Sequence, residues 1–332
     1  MKTLTRLKGP VLGALLGALA ALPIASMASS SAPAAFPEPG KMVKVIVPFV
    51  AGGGVDSAAR LFAEQLRKQL GTTVIVENRV GGSGVVGGRA VLAAAPDGYT
   101  LLFSAATHVL AKQVLAHPPY DPQTDFVPVA RVGELPFALL VHPSVPAKTV
   151  QELIDYAKAN PDRLSYGTPN STSLVASETF KYVTHAQITS VPYKSSPQAL
   201  TDLMGNQIQV YVADLGSAWG TIKTDRVRTL AVTAAKGSTL LPNVPAIGKT
   251  LPGFDITSWN GIFGPAGMPV EITERLNTEL QAILKDKAVQ EQLAQVGFEV
   301  WPTATPAEFA TYVKDQMARW GQLVKQAGIE AQ

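Results

Sequence analysis

The sequence has no cysteine. That one absence excludes disulfides, thiolate nucleophiles, Cys-ligated zinc, iron–sulfur clusters and the lipidated cysteine of a bacterial lipoprotein. Histidine is nearly as scarce, with four residues in the chain, His108, His117, His142 and His185. None falls in a nucleophile or H-E-x-x-H pattern, and the closest pair, His108 and His117, is too far apart for one helix face. These histidines read as surface or capping residues. Charge is sparse too: Asp, Glu, Lys and Arg make up 16% of the chain. No apolar run reaches the roughly 20 residues of a membrane-spanning helix.

What is present is 332 residues with 46% apolar content, enough for two globular domains. Lys2, Arg6 and Lys8, the apolar run from Val11 to Ile24, and Ser26-Met27-Ala28 have the form of a secretory signal peptide over 1–28, which places the mature protein in the periplasm. Its removal lowers the 28 basic residues to 25, equal to the 25 acidic ones. No basic field remains to attract nucleic acid. Ser29 to Gly40, rich in Ser, Ala and Pro, follows as a lead-in.

The pattern that organises the chain runs from Val45 to Leu70. A β-branched run, Val45 to Val47, stops at Pro48. Gly52, Gly53 and Gly54 follow, then a helix with Ala58, Ala59, Phe62, Leu66 and Leu70 on one face, ending before Gly71. Glycines let a backbone approach a ligand closely. The first amides of a helix lack internal partners and carry partial positive charge, so this loop suits a small carboxylate or phosphate. Asp56 reads as the helix N-cap, worth about 1 kcal/mol.

Further strands are expected at 73–77, 100–103, 137–141, 164–166, 188–191, 208–212, 228–233 and 256–263. Helices alternate with them, as parallel βαβ units require. Residues 81–88 read as a second glycine loop with a short helix over 89–95 behind it, and 118–128 as irregular. Thr149 to Glu152 and Thr305 to Glu308 are capping boxes, and Pro269 opens a long helix at its first position. Asp214 to Ser217 reads as a polar turn. The strand at 256–263 returns to the first domain. The division is therefore 29–132 plus 253–332 for one discontinuous domain and 133–252 for the other, with two crossings that form a hinge.

Several patterns invite other chemistry. Gly82 to Gly87 fits G-x-G-x-x-G, but the next strand ends in Ser104 and Ala105 where a dinucleotide site needs an acid. Close helix–strand packing accounts for these glycines. Ser83 fails G-x-S-x-G. No motif supplies a nucleophile and base, a metal site or a cofactor site, so an exported hydrolase or isomerase has no machinery here. Trp259 and Phe49 each either pack the core or wall a ligand. Lys194 either meets a second carboxylate or stays solvated.

The ordered motifs V-P-F-V-A-G-G-G-V-D, V-E-N-R-V-G-G-S-G-V-V-G-G, A-P-D-G-Y-T-L-L, Y-D-P-Q-T-D-F-V-P-V, V-P-Y-K, L-P-N-V-P and S-W-N-G-I-F-G-P-A-G resemble the Bug family, the periplasmic solute receptors of tripartite tricarboxylate transport systems. The resemblance implies an α/β, two-domain periplasmic-binding-protein fold of type II with the ligand cleft between the domains. It implies a monomeric receptor without catalysis that hands a small organic, amino or aromatic acid to a membrane permease, or serves as a sensor for a signalling partner. Ligand contacts carried over are Phe49, Ala51, Gly52, Gly53, Gly54, Val55, Asp56 and Ser57, then Ala105, Ala106 and Thr107. From the second domain come Thr168, Asn170, Ser171, Thr172 and Ser173, with Asp214 and Ser217. The chain departs from the family in having Ala51 where Pro is common. Its loop at 167–173 is also shorter, without the usual glycines and histidine.

Overall fold

A computed structural model describes residues 36–301 and 304–331. The signal-peptide reading lies outside them. The first strand, β1 (Val43–Val47), leads through the glycine loop into α1 (Gly54–Leu70). The apolar stripe read from the sequence is the buried one: Ala58, Ala59, Phe62, Leu66 and Leu70 all face the core. Strand β2 (Val74–Asn78), helix α2 (Val85–Leu92), strand β3 (Thr100–Ala105) and helix α3 (Thr107–Val114) follow. β1 lies between β2 and β3, parallel to both.

The next strand differs from the sequence reading. β4 (Phe126–Val141) is a single strand of 16 residues, where the sequence suggested an irregular stretch over 118–128 and a short strand over 137–141. Its register against β9 (Thr257–Pro265) shifts between Pro128 and Ala130 and again between Arg131 and Gly133. Such bulges absorb residues that regular pairing would refuse. The second half of the chain adds α4 (Val150–Ala159), β5 (Ser165–Thr168), α5 (Ser171–Thr184), β6 (Thr189–Pro192), α6 (Ser196–Met204), β7 (Val210–Asp214), α7 (Leu215–Ile222) and β8 (Arg228–Val232). Beyond β9 come α8 (Val270–Lys285), α9 (Lys287–Gln295), β10 (Glu299–Val300) and α10 (Pro306–Gln326).

Among the described residues ten strands join one sheet, in the path β2-β1-β3-β9-β4-β7-β5-β6, with β8 and β10 also paired to β4. β9 runs antiparallel to both β3 and β4. β4 therefore serves both halves: its start pairs with β9 and its end with β7 and β8. Trp259 is fully buried, and its indole N–H donates to Gln316 Oε1 at 3.1 Å, so it packs the core. No helix among the described residues is long and apolar enough to cross a membrane.

Three local readings change. The helix expected at 89–95 begins at Val85, inside the glycine run. A β-carbon on Gly87 would lie 2.7 Å from Pro48 Cβ, so bare backbone lets α2 press on the end of β1. Asp214 caps α7, its Oδ1 accepting the Ser217 amide at 2.8 Å, where a turn was expected. His108 is buried among Tyr120, Phe126 and Phe263, with neither ring nitrogen hydrogen-bonded. Burial lowers its pKa from 6.5 to about 3. A lone histidine gives no sequence sign of which side of a helix the core will cover. His185, in contrast, is a capping residue, left-handed at the end of α5.

Candidate ligand-binding site

A cavity of about 390 Å³ opens where the strand-to-helix connections of the two halves meet. After β1 it is lined by Pro48, Phe49, Val50, Gly53, Gly54 and Val55. After β2 come Val80 to Gly84, and after β3 Ala105 and Thr107. The other half contributes Pro169, Asn170 and Thr172 after β5, Tyr193 to Pro197 after β6, and Asp214 and Ser217 after β7, with Leu135 and Ser258 between. The N-termini of α1, α3, α5, α6 and α7 thus converge on one space. Parallel α/β units place ligands at the carboxyl ends of their strands, where helix starts offer amides and positive potential.

The α1 end is built with the most care. Gly53 holds the N-cap position that the sequence suggested for Asp56. The first intrahelical bond runs from the Ser57 amide to the Gly53 carbonyl, at 2.9 Å. The amides of Gly54, Val55 and Asp56 precede it, and no acceptor among the described residues meets them. Asp56 turns away from the cavity. Its Oδ2 accepts the Gly52 amide and Arg60 Nε, both at 2.9 Å, and its Oδ1 accepts Asn78 Nδ2 at 2.8 Å. Asn78 also donates to the Phe49 carbonyl at 3.0 Å, and its own Oδ1 accepts Arg60. Burial pushes the Asp56 carboxyl up, but the donors from Arg60, Gly52 and Asn78 outweigh it and hold the group below its ordinary value. The carboxylate therefore clasps the loop from behind.

Of the residues read from the sequence, Phe49, Gly53, Gly54, Val55, Ala105, Thr107, Asn170, Thr172, Asp214 and Ser217 meet at the cavity wall. Ala51 and Gly52 sit exposed outside the lining, and Asp56 and Ser57 lie behind it. Ala106 is buried below it. Thr168 spends its hydroxyl on the Val191 carbonyl at 3.2 Å. Ser171 and Ser173 are buried in the first turn of α5 without hydroxyl partners. Thr107 Oγ1 is buried, unpartnered and in the wall itself. Sequence reasoning missed Val80, Gly81, Gly82, Leu135, Tyr193, Ser195, Ser196 and Ser258 as lining residues. The loops after β2 and β6 were detectable by the same strand-end rule that located the others.

Chemically the wall offers amides, hydroxyls and apolar surface. Lys194 and Asp214 are its charged lining residues, and no histidine among the described residues lines it. Such a surface can hold an acid group through neutral donors.

An α/β fold whose two halves meet at such a cavity is that of a periplasmic binding protein. The sequence profile of the tripartite tricarboxylate transporter family receptor, TctC, matches residues 58–329, and the chain belongs to this family. It is 33% identical over 298 residues to Protein BugT of Bordetella pertussis, an alignment that covers 88% of this chain and 91% of BugT. The solved structure of R. palustris Rpa4515 with adipate is 33% identical, with a TM-score of 0.85 over 89% of this chain and 99% of that one. The periplasmic binding protein BugD is also 33% identical, with a TM-score of 0.83, covering 89% of this chain and 100% of its own.

Proposed function

We propose that the chain is an extracytoplasmic receptor that takes one small carboxylate into the cavity and passes it to a tripartite tricarboxylate permease. The observation that carries this reading is the α1 terminus: three amides without acceptors on a glycine loop clasped from behind, with Gly54 and Val55 in the cavity wall. A carboxylate oxygen supplies the missing acceptors. Adipate in the related Rpa4515 structure supports an acid ligand of this size. Neutral donors also suit release, since an unpaired buried cation would cost several kcal/mol.

In this reading the receptor is a periplasmic monomer without catalytic activity. Its two lobes, 29–132 plus 253–332 and 133–252, close over the ligand by bending where β4 and the segment before β9 pass between them. The closed form is what the permease recognises. A thermal-shift screen against a panel of organic, amino and aromatic acids tests the ligand class. A ligand present at 100 times its dissociation constant stabilises by about 2.7 kcal/mol. At least one carboxylate is expected to raise the melting temperature and to be recovered unchanged after incubation. If none does, or if product forms, the reading fails.

A further inference from the structure

Resting on the carboxylate reading, we infer that the site takes an acid carrying a hydrogen-bond donor, a hydroxyl or an ammonium, on the carbon next to its carboxylate, and that Asp214 reads that donor. Asp214 lines the cavity and is 9% exposed. Its Oδ1 is committed to the Ser217 amide at 2.8 Å. Beside that amide only the Ser217 side chain, itself in the wall, helps hold the carboxyl, and no cationic side chain pairs with it, so a buried carboxylate at the cavity keeps acceptor capacity to spare. Such a group is costly unless a donor arrives with the ligand.

The position of Asp214 fixes what part of the ligand it meets. The starts of α1 and α7 touch through glycine: a β-carbon on Gly216 would lie 3.3 Å from Gly54 Cα and 3.5 Å from Asp214 Oδ1. An acid group held on the Gly54 and Val55 amides therefore has Asp214 beside it. What projects from the carbon adjoining the acid group is what reaches the Asp214 oxygen. A methylene there leaves the oxygen unpaired and sets two carboxylates side by side. A hydroxyl or ammonium bridges them. Burial raises the Asp214 pKa, the direction expected for a carboxyl without a countercharge in contact. Lys194, the other charged lining residue, has no ion-pair partner among the described residues and does not neutralise it.

The test is calorimetric titration of the full mature chain with matched pairs: 2-hydroxyglutarate and glutarate, aspartate and succinate, 2-aminoadipate and adipate, lactate and propanoate. Within every pair that binds, the donor-bearing acid is expected to bind about tenfold tighter or more, the scale of a hydrogen bond to a charged group. Asp214→Asn keeps the α7 cap, because Asn and Asp cap equally well, and offers an amide in place of the carboxylate. It is expected to bring the ratio within each pair to roughly threefold or less, with unliganded melting checked alongside. Equal affinity within the pairs, or a preference that Asp214→Asn leaves intact, overturns the inference while leaving carboxylate binding standing. If no acid of either kind binds, both readings fall together.

Discussion

Two loops of the same topology face each other across the cavity and solve the same problem differently. After β1, the helix start is glycine, and every side chain that organises it (Asp56, Asn78, Arg60) lies behind the loop, leaving backbone amides toward the ligand. After β5, Asn170 caps α5 by accepting the Ser173 amide at 2.9 Å and the Thr172 hydroxyl at 2.7 Å. There the helix donors are partly used by the protein, and side chains form the wall. The first loop can hold any carboxylate, because amides are the same in every protein. The second, with Asp214 nearby, can distinguish one acid from another.

The largest expected effect falls on the first loop. Gly54→Ala places a β-carbon inside the Gly216 backbone. Neither backbone can yield without separating the starts of α1 and α7. Binding is expected to be lost in calorimetry, with a stability loss on the order of 3 kcal/mol by thermal melting. The matching change opposite, Thr172→Val, is expected to alter which acid binds while stability holds. If both changes acted alike, the contrast between the loops would be wrong.

Acid pH offers a way to separate loss of the fold from loss of either loop. His108 packs beneath the α3 start, and its pKa is about 3 when folded and 6.5 when free. Between those values the unfolded chain binds the extra proton, so stability declines as pH drops from 6.5 toward 3. The decline from this one residue reaches at most about 3 kcal/mol at pH 4. His108→Leu is expected to flatten the melting temperature across that window and to leave the neutral-pH affinity within roughly twofold of wild type. An unchanged pH profile would remove His108 as the cause.

Smaller effects follow from the two clasps. Asn78→Ala leaves the Phe49 carbonyl and an Asp56 oxygen unpartnered, a cost of about 1–3 kcal/mol. Affinity is expected to fall for all acids equally, because the amides lose their placement and not their chemistry. Asn170→Ala removes a cap worth about 1 kcal/mol. Its affinity loss is expected to differ from acid to acid, and titration of a mixed panel distinguishes the two patterns.

The same contrast explains which features are legible in the sequence. The β1 loop and α1 were legible because every level agrees there: a β-branched run, glycines, an amphipathic stripe and a stop at Gly71. The Thr305 capping box forms both of its bonds for the same reason. β4 was not legible, because Pro128, Gly133 and Pro136 are local stop signals that only a bulged pairing with β9 tolerates. The role of Asp56 was misread from local spacing, since its partner Asn78 sits 22 residues away. At the far wall Tyr193 to Ser196 follow the strand-end rule, whereas Leu135, inside β4, depends on how distant strands are brought together, and no local pattern carries that information.

The most direct measurement follows the backbone amides of Gly54 and Val55 by ¹H–¹⁵N NMR while the tightest-binding acid is titrated in. Both protons are predicted to move strongly downfield and to saturate with the calorimetric dissociation constant, as amides do on donating to a charged oxygen. An acid that binds while these two resonances stay in place would contradict the account.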